Sequence, residues 1–112
     1  MPFYLMRFSY TPEAWGRLIK NPEDRREVAR PIVEQLGGKL HGFWYAFGSQ
    51  DGYVLIEAPD NVSAAAFSVG IAAGGSLRGA ETTVLLTVEE TIAMLEKARD
   101  LPYRPPGTGS ER

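Results

Sequence analysis

The 112-residue chain contains no cysteine and a single histidine. The first absence excludes disulfide staples and thiolate metal sites, and a reducing compartment is the natural expectation. The second leaves only carboxylates to build a metal cluster, and none stands at ligand spacing, so neither a metal nor a cofactor is expected. Charge of one sign is not in excess either: the net charge is −2 and the pI about 5.4. Nothing in that balance steers the protein toward nucleic acid or anionic lipid. No apolar run approaches the ~20 residues needed to span a bilayer. Met1 leads directly into an aromatic segment with no basic region before it, so no signal peptide is expected and a cytoplasmic protein is the default.

What the chain does have is order. Residues 3–10 are aromatic and apolar on both parities, as a strand covered on both faces would be. Thr11 and Pro12 open a short helix. Asn21-Pro22-Glu23-Asp24 opens a second, which carries Val28, Ile32 and Leu36 as a core-facing stripe and ends at Gly37-Gly38. Pro31 lies inside it, and an internal proline costs ~3 kcal/mol, so a kink or break is expected near Arg30. Residues 40–47 read as the second strand. Asp51-Gly52 reads as a tight hairpin turn, with Asp51 as a simple turn former. Residues 53–58 form the third strand, Asp60 caps a helix over 61–73, and residues 77–86 form the fourth strand. Thr87-Val88-Glu89-Glu90 is a capping box opening a last helix with Val88, Ile92 and Leu95 on one face.

This order specifies an α+β, ferredoxin-like β-α-β-β-α-β domain over residues 1–100. It has a four-stranded antiparallel sheet, helices on one face and an extra C-terminal helix. Residues 101–112 form a tail of proline, glycine and charge that cannot hold a core. Nine of the twelve aromatics fall in the first three strands, so about half should point away from the helices. Each carries ~150–250 Å², and leaving four or five exposed forfeits on the order of 10–20 kcal/mol. A homodimer with sheets packed face to face removes that cost.

Four groups carry candidate chemistry. His41 is either a general base or haem ligand, or a satisfied strand residue. Arg7 and Glu57 stand as charges in apolar strands expected to be neighbours. They form either an ion pair that sets register, or a polar pair in a ligand pocket with Glu57 accepting a proton and Arg7 holding an oxyanion. Tyr10, Trp44, Tyr45 and Tyr53, with Tyr4, either line a pocket for a flat aromatic ligand or form core and interface. Asp60 occupies its own helix start, so no anion is expected there.

Gly37-Gly38-Lys39, Gly48 with Asp51, and Glu57-Ala58-Pro59-Asp60 before an alanine-rich helix resemble the GYD domain family. The resemblance spans residues 3–86. It implies a dimeric α/β barrel, a superfamily that includes cofactor-free monooxygenases, lactone isomerases, haem-degrading enzymes and stress-related binding proteins. The chain departs from the motif at Gln50, where the family places tyrosine. Two functions follow as expectations. One is the binding of a small apolar or aromatic molecule between sheet and helices, with cofactor-free proton transfer or oxygenation as its chemistry. The other is an oligomerisation or regulatory module with no pocket.

Overall fold

A computed structural model describes residues 1–107. The elements in chain order are β1 (Phe3–Tyr10), α1 (Pro12–Lys20), α2 (Arg26–Gln35), β2 (Lys39–Tyr45), β3 (Gly52–Glu57), α3 (Asn61–Ala72), β4 (Leu77–Leu85) and α4 (Val88–Arg99). The four strands form one antiparallel sheet in the order β2-β3-β1-β4, the ferredoxin-like arrangement.

Strand parity positions the core. Tyr4, Met6, Phe8 and Tyr10 of β1 and Val54 and Ile56 of β3 are buried beneath the helices, against Ala14, Ala29, Val33, Ala64 and Phe67. The opposite, open face carries Phe3, Leu5 and Arg7 of β1, Tyr53, Leu55 and Glu57 of β3, Gly42 and Trp44 of β2, and Glu81 and Leu85 of β4. Most of these side chains are half-buried. Trp44 is 54% exposed, its indole folded over the bare Cα of Gly42, where a methyl group would collide with the ring. Of the nine strand aromatics, three face this way (Phe3, Trp44, Tyr53), fewer than the four or five expected. Leu5, Leu55 and Leu85 supply the rest of the apolar surface. Phe47 lies beyond the end of β2, fully exposed.

Local signals set most boundaries. The Thr11 hydroxyl accepts the Ala14 N–H at 3.1 Å, the Asp60 carboxylate accepts that of Ser63 at 2.8 Å, and Thr87 and Glu90 cap one another reciprocally. Gly37 ends α2 at φ +85°, and Gly75 follows α3 at φ +80°, in the left-handed region.

Four expectations are corrected. The β2–β3 connection is a six-residue loop, 46–51, closed by the Ala46 N–H donating to the Asp51 carbonyl at 2.9 Å, and neither Asp51 nor Gly52 has positive φ. Gly52 is needed because a Cβ there would strike the Phe8 ring. α2 begins at Arg26 rather than Pro22, since the Asp24 carboxylate takes the Arg26 N–H at 3.0 Å and ends the preceding loop. α2 also runs unbroken through Pro31: that residue and Glu27, whose carbonyl it leaves unpaired, are both exposed, so water can satisfy the oxygen. The stripe that α2 buries is Ala29 and Val33, flanked by Ile32 and Leu36, while Val28 is 40% exposed.

α4 stands apart from the body. None of its residues is buried, and Val88, Ile92, Met94 and Leu95 are all substantially exposed. The Cα radius of gyration is 18.9 Å, against about 13 Å for a compact chain of this length, and the longest extent is 67 Å. Residues 101–107 continue exposed, and the last five residues of the predicted tail lie outside those described. Among the described residues, no helix is long and apolar enough to cross a membrane.

Candidate functional site

α2 packs chiefly over β2 and α3 over β4, and a groove runs between the two helices above the central strands. The result is a cleft of about 350 Å³. Its floor is Met6, Phe8 and Val54, with Phe43 beside them. Phe67 and Ile71 of α3 form one wall and Val28 and Ala29 of α2 the other. Gly70 and Gly74 stand exposed at its rim, and a Cβ on Gly70 would meet nothing within 4 Å. The volume falls at the lower end of the ~300–1,000 Å³ typical of small-molecule sites.

Polar groups gather at one end. The Tyr10 hydroxyl lies 3.2 Å from that of Tyr45, and Tyr10, Arg25 and Ser76 line the cleft there. Partial burial, then the hydrogen bond with Tyr10, raises the Tyr45 phenol above its ordinary pKa, so it stays protonated. The Arg25 guanidinium donates through Nη1 to Glu23 at 2.6 Å, and that bond, then the nearby Tyr10 hydroxyl among smaller causes, raises its pKa. Tyr10 is held from both ends. Its backbone N–H donates to Asp51 Oδ2 at 2.9 Å, and its ring meets Trp15 edge-on with centroids 5.0 Å apart. The same Asp51 oxygen accepts the Trp15 indole N–H at 3.1 Å. Asp51 is thus an anchor joining α1, β1 and the β2–β3 loop, a role its turn-forming character did not reveal.

The sequence candidates divide between the two faces of the sheet. Tyr10 lines the cleft, and Tyr45 adjoins it through their shared hydrogen bond. Trp44 and Tyr53 face the other way, paired across β2 and β3 on the open face. Tyr4 is buried in the core, donating its hydroxyl to Asn61 Oδ1 at 2.7 Å. His41, Glu57 and Arg7 also lie on the open face. The expected Arg7–Glu57 pair does not form, because Glu57 is opposite Phe3 and Arg7 is opposite Tyr53, four residues along β1. Arg7 instead pairs with Glu81 across β4. Glu57 meets His41, whose Nε2 lies 2.7 Å from Glu57 Oε1. A bulge between Leu40 and Gly42 makes this contact, since His41 is the extra residue there, and the Phe3 ring lies against the imidazole at 5.2 Å. Among the described residues, no group of three or more His, Asp or Glu side chains could hold a metal ion.

Sequence reasoning missed Arg25, Val28, Phe67, Gly70 and Gly74 as cleft residues. No local pattern marks Arg25, and Gly70 stands in the sequence only as a glycine inside an alanine-rich helix.

Several solved structures resemble this chain. The crystal structure of MtbAldR matches with a TM-score of 0.54 at 14% identity, covering 77% of this chain and 53% of that one. The chain therefore spans about half the length of MtbAldR, and the likeness is one of fold. An uncharacterised NIPSNAP domain protein from Burkholderia xenovorans matches at TM-score 0.49 and 19% identity, over 79% of this chain and 95% of that one. A MhuD mutant, solved with two manganese protoporphyrin IX molecules per active site, matches at TM-score 0.45 and 17% identity over the same shares. No curated protein matches the sequence. The family model described as GYD domain matches residues 4–95, most of the chain, and the protein belongs to the GYD domain family.

Proposed function

We propose that this GYD protein binds a small apolar or aromatic molecule in the cleft between α2, α3 and the sheet. The cleft itself carries the reading: an apolar floor and walls, open at Gly70 and Gly74, with the Tyr10 hydroxyl and Arg25 at one end. A ligand of one or two rings would cover the partly exposed Val28, Phe43 and Ile71 above that floor while its polar end met those two groups. The titratable candidates His41, Glu57 and Arg7 lie across the sheet, so the cleft is read as a binding site. Any proton transfer there would fall to the Tyr10–Tyr45 hydroxyl pair.

The protein is proposed to act as a homodimer. The open face presents Phe3, Leu5, Trp44, Tyr53, Leu55 and Leu85 around the Arg7–Glu81 ion pair and the His41–Glu57 hydrogen bond, and a second copy packed on it would shield both. In that arrangement the two clefts face outward and remain open.

Thermal unfolding with a panel of aromatic acids and quinones tests the binding. A ligand at a hundredfold excess over its Kd adds about 2.7 kcal/mol to the native state. A rise in Tm is expected with at least one compound, and Gly70→Leu, which fills the rim from open space, should abolish the rise while the protein stays folded. A panel with no effect at millimolar concentration contradicts the reading and leaves the chain an assembly module.

A further inference from the structure

We infer that the molecule bound in this cleft carries an anionic head, a carboxylate or a comparable oxyanion, seated on Arg25. The inference rests on the binding reading above and narrows its ligand to organic acids. It comes from what lies behind the polar end. Tyr10, Arg25 and Ser76 form a shared wall: on one side is the apolar cleft, on the other a second hollow of about 400 Å³ lined by Arg17, Lys20, Asn21 and Glu23. Arg17 and Lys20 thus share the second hollow with Glu23, and Arg25 is the cation that lines both spaces. Glu23 engages Nη1 of Arg25 at 2.6 Å and the Tyr10 hydroxyl lies near the same guanidinium, so an oxyanion seated there would bridge Arg25 and Tyr10. Among the described residues, Arg17 and Lys20 have no carboxylate partner. The last turn of α1 explains their presence, where cations suit the helix dipole. Arg25, the residue before α2, turns toward the same hollow, where Glu23 holds it.

The shape follows from this placement. An apolar body would lie between Val28, Phe43 and Ile71, with its head at Arg25 and the Tyr10 hydroxyl, all of which line the cleft. A neutral isostere would occupy the same space and forgo the charge-assisted bonds. The structure therefore distinguishes an acid from its amide, whereas a purely apolar cleft would not.

Calorimetric titration of the full chain with 1-naphthoic acid and 1-naphthamide tests the inference. The acid should bind at least tenfold more tightly than the amide, and added salt should weaken the acid alone. Arg25→Gln should bring the two affinities together with the amide little changed. Arg25 makes no side-chain cap for α2, so this substitution removes no helix-starting bond. Glu23→Ala, which releases Nη1, should tighten the acid, a gain that misfolding cannot produce. Equal binding of acid and amide to the natural sequence overturns the anionic head while leaving the cleft a binding site. An acid preference that survives Arg25→Gln overturns the role of Arg25. Binding of neither compound overturns this inference together with the binding reading beneath it.

Discussion

The Trp15 indole N–H donates to the Asp51 carboxylate across 3.1 Å, and through that bond α1 is fastened to the loop between β2 and β3. The same carboxylate oxygen takes the Tyr10 N–H at the end of β1. Hydrogen bonds to a charged acceptor contribute about 1.5–3 kcal/mol. Asp51→Ala should therefore lower the unfolding free energy by about 2–3 kcal/mol, read by denaturant titration. It should also shift the Trp15 fluorescence toward that of a wetter indole. A loss under 0.5 kcal/mol would show that the anchor carries no weight.

Two glycine-to-alanine changes should have opposite signs. At Gly52 the new methyl meets the buried Phe8 ring, and overpacking of this kind costs about 1–3 kcal/mol. At Gly70 the methyl enters open space inside α3, and helix propensity favours alanine by about 1 kcal/mol. Melting both variants beside the parent checks the pair. Destabilisation at Gly70 would mean that the cleft rim is not open.

Acid should weaken the fold through its caps. The Asp60 carboxyl is held below its ordinary pKa by the Ser63 backbone N–H, then by the Ser63 side chain, and Asp24 is held down to about 2 chiefly by Arg26. Each is depressed in the folded state, so its contribution is complete above the unfolded value near ~3.9 and is lost as pH falls through the folded one. Stability should fall from about pH 4 toward pH 2. Asp60→Asn keeps a cap of similar quality at neutral pH and should flatten that slope. Both carboxylates are exposed, so the effect should shrink in salt. An unchanged slope in Asp60→Asn would remove this cap from the acid response.

The two apolar surfaces should respond differently to charge. Leu55→Lys, on the open sheet face, should convert a dimer into a protomer by sedimentation. Within the protomer, Ile92 and Leu95 of α4 are 51% and 57% exposed, so lysine there should change protomer stability by no more than about 0.5 kcal/mol. A natural chain that sediments as a protomer at high concentration removes the face-to-face dimer from the account.

Much of this fold was legible from short-range patterns. Residues 3–10, apolar on both parities, read as a strand, and Thr11, Asp60 and Thr87 announced three helices through bonds to amides three residues away. Asp51 was misread because its decisive partners, Tyr10 and Trp15, lie 41 and 36 residues distant. The His41–Glu57 contact depends on a one-residue bulge that no local preference signals. The cleft was hidden for a different reason. It is a space left between α2 and α3, so Val28 fits the apolar stripe of its helix and yet ends over a gap, and Gly70 signals its role only by having nothing opposite it.

Backbone amide NMR of the full chain titrated with 1-naphthoic acid measures the central claim most directly. The account predicts shifts concentrated at Phe67, Gly70, Ile71 and Gly74 and at Arg25, saturating with ligand and absent in Gly70→Leu. Shifts confined to Trp44, Tyr53 and Leu55 on the far face of the sheet, or none at all, would contradict it.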